Sequence, residues 1–267
     1  MELKSTASAL GLHSYHLPPP NRDVYRRFYD AVIALFAERN IEATYIGVRG
    51  EGWPKKLGKF KGKTHKRLLE TGFANVDGVS VYANPKDSDA PSFDRFAYAS
   101  IGFSEFSNET YIGVVVNEVF ISFCGEEYRS MYERFLDLFP WDFGYGFSDD
   151  VDKYPEFHIL GGGYGELSAE EESALQAWYA SSPETRLQKL RDVYPKNFVS
   201  EKHLETEIAE DMTLRKWIDE HSSTDLVRLT DYGLHLWIVD DQERDHFREQ
   251  LGKMGALISI VSGAGSA

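Results

Sequence analysis

Three strand-like runs follow one another between Gly78 and Phe123: GVSVYA, FAYASIGF and TYIGVVVNEVFISF. They concentrate β-branched and aromatic residues, which suit a pleated, half-buried surface. Helical periodicity frames them. From Asp23 to Arg39, the residues Val24, Phe28, Val32 and Phe36 recur along one stripe. Shorter helices are expected near His65 to Thr71 and from Glu126 to Phe139, the latter stopped by Pro140. EATYIGV, WDFGYGF and EFHIL read as further strands. The C-terminal part reads as a helix from Thr213, strand YGLHLWIV, a helix from Asp241 to Lys253 and strand ALISIV. Such an order belongs to the α+β class, with a mixed or antiparallel sheet packed with helices. SSPE and YPKN interrupt the pattern between Ser181 and Lys196. Two domains are therefore expected, a main α+β domain at 1–180 and a smaller strand–helix–strand subdomain at 181–267.

Glycines invite a phosphate reading in two places. HILGGGYGELSAEEE, His158 to Glu172, sets a glycine run before a helix start. The dinucleotide fingerprint needs a third glycine where Glu166 stands, and Glu170, Glu171 and Glu172 occupy the place of the pyrophosphate. Those carboxylates already satisfy the positive helix end and repel a phosphate, so a tight strand-to-helix turn is expected. Ser168 with Glu171 forms a capping box. GKFKGKT, Gly58 to Thr64, has three residues between its glycines where the phosphate loop needs four. DFG at Asp142 to Gly144 lacks the other kinase elements. No nucleophile elbow or zinc helix is present. His13, His16, Asp150, Asp152, Glu156 and His158 offer metal-binding side chains, but acid-rich turns are usually solvated surface. Neither a cofactor nor a metal is expected. One cysteine, Cys124, excludes an intrachain disulfide; lying in VFISFCG, it is expected to be a buried, inert thiol.

Charge is segregated. The chain carries −14 overall, yet Arg49 to Arg67 holds eight Lys/Arg against Glu51, a local +7, which leaves the rest at −21. Asp149 to Glu172 holds eight carboxylates against Lys153. An acidic body disfavours nucleic acid and anionic membrane and attracts basic partners. The basic stretch, with Trp53 and Phe60, is expected to be a solvated, mobile loop; its functional alternative is nucleic-acid binding by charge and stacking. No export pattern opens the chain and no apolar run approaches the roughly 18 residues of a membrane span, so a cytoplasmic protein is expected.

The C-terminal runs LRDVYPKNFVSEKHL, TLRKWI, YGLHLWIV and REQLGKMGALI resemble the tails of small bacterial proteins encoded beside toxins. The middle, from GFANVDGVSVYA through YRSMYERFLDLFPWDFGYGF, is similar in layout to immunity proteins of polymorphic and type VI secreted toxin systems, of the immunity protein 52 type and related to the TsiV group. That resemblance implies a non-catalytic α+β protein that blocks a cognate toxin by occlusion. The expected contact residues are Asp149, Asp150, Asp152, Glu170, Glu171 and Glu172, with Trp141, Tyr145 and Tyr164 as aromatic anchors for a basic partner. The alternative is an enzyme using His158 and Asp150 as an acid–base pair.

Overall fold

Asn21 starts the first helix. Its side-chain oxygen accepts the backbone N–H groups of Asp23 and Val24, so two otherwise orphaned donors are satisfied. The helix then turns Val24, Phe28, Val32 and Phe36, with Tyr25, Tyr29 and Leu35, into the core. The computed structural model describes residues 3–15, 18–84, 96–160 and 168–259. In chain order the elements are β1 (Thr6–Tyr15), α1 (Arg22–Glu38), β2 (Tyr45–Arg49), β3 (Gly58–Lys59), α2 (Lys63–Glu70), β4 (Gly78–Ala83), β5 (Ala97–Ser104), β6 (Glu109–Asn117) and α3 (Glu126–Leu136). β7 (Phe143–Asp150), α4 (Pro155–Ile159), α5 (Ala169–Ala180), α6 (Pro183–Arg186), β8 (Lys196–Ser200) and α7 (Glu201–Leu204) follow. The chain closes with β9 (Glu207–Ala209), β10 (Met212–Thr213), α8 (Leu214–His221), β11 (Val227–Arg228), β12 (Leu234–Ile238) and α9 (Asp241–Lys253). This is an α+β fold.

Two compact units divide the chain, Met1–Pro140 with Ser148–Leu160, and Trp141–Phe147 with Gly161–Ala267. The break therefore falls before residue 181. Trp178 explains why α5 joins the second unit: it packs edge-on against Phe143 and lies beneath Arg186 and Arg191.

In the first unit the strand order is β1-β6-β5-β4-β2-β3, every pair antiparallel. Because successive side chains point to opposite faces, this sheet has two distinct sides. One carries Leu10, Leu12, Val79, Val81, Ile101, Ile112 and Val114, all buried. On that side the Ser8 hydroxyl donates to the Ile121 carbonyl before α3, and Phe28 of α1 meets Phe135 of α3 at 5.8 Å. The other side carries Tyr45, Gly47 and Arg49, then Gly78, Ser80 and Tyr82, then Tyr98, Ser100 and Gly102, then Tyr111 and Gly113. α4 lies on β1 and β6 there, with Ile159 over Gly113.

The second unit orders its strands β11-β12-β8-β7, again antiparallel, with β9 and β10 as a separate pair. Its core centres on Trp217, Trp237 and Phe247, with Trp217 edge-on to both partners at 6.3 and 5.1 Å.

Four local expectations are corrected. β1 has no counterpart in the sequence reading: TASALGLHSY is poor in β-branched residues, yet nearly all of it is buried. EFHIL lies in α4, because Pro155 pre-sets a helical first turn and Tyr154 ahead of it turns left-handed at φ 52°. ALISIV makes only a single bridge, Leu190 with Leu257, within its described part. The chain leaves β6 at Asn117, whose side chain accepts the Val119 N–H, so Cys124 falls outside the sheet and is exposed.

Candidate interaction surface

Ser168 and Glu171 close the expected capping box: Ser168 Oγ accepts the Glu171 N–H at 3.2 Å, and Glu171 Oε2 accepts the Ser168 N–H at 2.8 Å. Glu170, Glu171 and Glu172 stand exposed in the first turn, where the helix dipole favours them. The glycine run and Tyr164 lie outside the described residues. α5 buries a single side chain, Trp178. Arg186 stacks on that ring at 4.3 Å and donates from Nη2 to the Trp178 carbonyl at 2.7 Å, so one cation both packs the anchor and caps the helix end. Ser181 Oγ donates to the same carbonyl at 2.6 Å.

Trp141 and Tyr145 are not surface anchors. They are 2% and 1% exposed. Tyr145 stacks on Tyr194 at 4.5 Å and its hydroxyl accepts a hydrogen bond from Arg191. The Arg191 guanidinium also lies 5.0 Å from the Trp178 ring centre. Beside it, Asp192 pairs with Arg248 at 3.0 Å; burial pushes the Asp192 carboxyl up, and Arg248 opposes that shift. A small cavity adjoins this cluster, lined by Tyr145, Arg191, Asp192, Asn197 and His203 among others. The sequence offered aromatic residues next to an acidic stretch, but Phe143–Phe147 of β7 is buried throughout, and Trp141 just ahead of the strand is buried with it.

The acidic turn of the first unit is solvent-facing. Asp150 and Asp152 are exposed and Asp149 is half-buried, 3.3 Å from Lys153. Glu156 is buried instead and lines a narrow cavity with Tyr98, Val115, Val151 and Pro155. His158 is exposed on α4. His13 is buried on β1 with Nδ1 2.6 Å from Glu109. Among the described residues no three His, Cys, Asp or Glu side chains converge as a metal-binding set.

The basic stretch is a built structure, where a loop was expected. Gly58 and Lys59 form β3 on the Tyr45–Ile46 edge, and α2 begins at Lys63. Trp53 is buried, donates to the Ala74 carbonyl at 3.2 Å and lies under Arg67. Phe60 stacks on His65 at 4.2 Å. Both aromatic rings are thus used inside the fold, while Lys55, Lys56, Lys59, Lys61, Lys63 and Lys66 remain exposed.

Sequence reasoning missed the second side of the first unit's sheet. Its signal was present in the alternation of YIGVR, GVSVYA and AYASIGFS, where every other residue is Tyr, Gly, Ser or Arg. Among the described residues no helix is long and apolar enough to cross a membrane.

No family model matches the chain, and no curated protein matches it. Among solved structures the chain is similar to the Pseudomonas aeruginosa T6SS protein PA0821, at 13% identity and a TM-score of 0.55. The match covers 98% of this chain and 76% of that one, and it shows a shared fold.

Proposed function

We propose that this protein is an immunity protein that binds a cognate toxin in the cytoplasm and blocks it by occlusion, without catalysis. The observation that carries the reading is the first turn of α5, where a closed capping box holds Glu170 and Glu172 outward on a fixed backbone. Fixed carboxylates attract a basic partner and speed its encounter. The likeness in fold to a T6SS protein supports a place in such a system, as does the resemblance of the sequence to immunity proteins. The exposure of His158 on α4 favours the binding reading over the acid–base alternative.

The test is coexpression with the toxin encoded by the neighbouring gene. Wild-type protein should rescue growth, and Glu170→Lys with Glu172→Lys should slow association about tenfold or more in stopped-flow mixing. Rescue without any physical complex would reject occlusion. An unchanged association rate would reject the α5 contact.

A further inference from the structure

Eight cations lie between Arg49 and Arg67 against Glu51 alone, and the structure gathers four of them at one corner. Gly58 lets β3 press against the first turn of α2, since a Cβ there would lie 2.9 Å from Thr64. Between these elements the chain turns tightly. Lys61 is left-handed at φ 63°, and the Gly62 N–H donates to the Lys59 carbonyl at 2.9 Å. His65 locks the turn. Its Nδ1 accepts the Lys61 N–H at 2.9 Å, so Nε2 carries the proton and donates to the Tyr29 hydroxyl at 2.6 Å. Lys59, Lys61 and Lys63 thereby share one fixed corner, with Lys66 a turn further along α2.

The crowding goes unanswered. On α1, α3 and α9 exposed cations face a carboxylate one turn away, as in Arg26 with Asp30, Arg129 with Glu133 and Lys253 with Glu249. Lys55, Lys56, Lys59, Lys61, Lys63 and Lys66 are all exposed, and among the described residues none of them forms an ion pair. Lys63 also stands in the first turn of its helix, where the dipole disfavours a cation. A lysine on an edge strand discourages stray strand pairing, but a two-residue strand needs no more than one. Like charges on a fixed backbone repel one another, and a bound polyanion relieves that repulsion.

We propose that this lysine corner binds double-stranded nucleic acid through its phosphates, without reading sequence. Such an activity stands apart from toxin binding and goes beyond it. A duplex offers a dense line of phosphates, one charge per roughly 1.7 Å of axis. Single strands fit less well, because stacking holds them as well as charge. Here Trp53 is buried under Arg67, and Phe60 is stacked on His65. The remaining −21 of the chain opposes a polyanion at long range. At about 0.15 M salt, however, the screening length is roughly 8 Å, so the local lysines decide contact. A narrow duplex can meet the corner alone, whereas a flat anionic membrane faces more of the acidic surface.

The experiment follows the anisotropy of a fluorescein-labelled DNA duplex of about 20 base pairs, mixed with the full chain at roughly 50–200 mM salt. Wild type should bind in the micromolar range or weaker. Log K should fall against log salt with a slope of about −3.5 or steeper, the release expected from four or more phosphate contacts. Lys59→Glu with Lys63→Glu, and separately Lys61→Glu with Lys66→Glu, should each weaken binding at least about tenfold and flatten the slope by about two. Lys202→Glu with Lys216→Glu changes the net charge equally at exposed sites elsewhere, and should leave affinity within about twofold. No duplex binding by wild type at the lowest salt, or equal losses from all three pairs, would overturn the site. Phosphatidylserine–phosphatidylcholine vesicles run in parallel. Vesicles bound more tightly than duplex, and released by the corner variants, would overturn nucleic acid as the occupant.

Discussion

His203 shows how a single buried ring couples this fold to pH. The Arg186 carbonyl can only accept, so Nε2 carries the proton and donates at 2.9 Å, while Nδ1 accepts from Ser200 Oγ at 3.0 Å. Burial holds the ring neutral and lowers its pKa to about 4, against the bond to Arg186, which raises it. An unfolded chain takes up a proton near pH 6.5 that the folded chain refuses until about pH 4. Stability is therefore complete above the unfolded value and falls as pH drops through that window, by up to about 3 kcal/mol. Urea midpoints between pH 7.5 and 4.5 should decline in wild type, and the decline should be shallower in His203→Gln; parallel profiles would refute the assignment. At this scale the sequence was partly readable. Trp217 and Trp237 stand at helical and strand spacings that place them inside, and both are fully buried. Trp141, Tyr145 and Cys124 were misread because neighbourhood in sequence says little about which way a side chain turns.

α5 is an element hung on one nail. Its flanks are polar, its single buried residue is Trp178, and the helix end is held by Arg186 and Ser181. Trp178→Ala removes the packed ring and leaves the Arg186 guanidinium without its aromatic partner, at a cost of about 3–5 kcal/mol. Amide exchange across residues 169–180 should then rise to the rate of an unstructured peptide while the Trp217–Trp237 core stays protected. Retained protection of α5 would show that other contacts hold it. The start of this helix was legible because a capping box is a local chemical pattern. α4 was not, since its five residues form a helix through the constraint of Pro155 and the left-handed Tyr154 rather than through periodicity.

At the scale of the molecule, the order of expected helices and strands foretold the α+β class, and the strand candidates from β4 to β6 were found nearly whole. The strand order was not readable, because register depends on which surfaces meet and β1 lacks a compositional mark. Charge was readable, and it carries a kinetic consequence. With −14 overall, association with a cationic toxin should slow about tenfold between roughly 0.05 and 0.5 M salt while dissociation changes little. A salt-independent on-rate would remove electrostatic steering from the mechanism. The one thiol of the chain, Cys124, sits in solvent just ahead of α3. A maleimide dye would therefore mark every molecule at the same address with no engineered handle, so emission polarisation could follow a toxin's arrival on the unaltered protein.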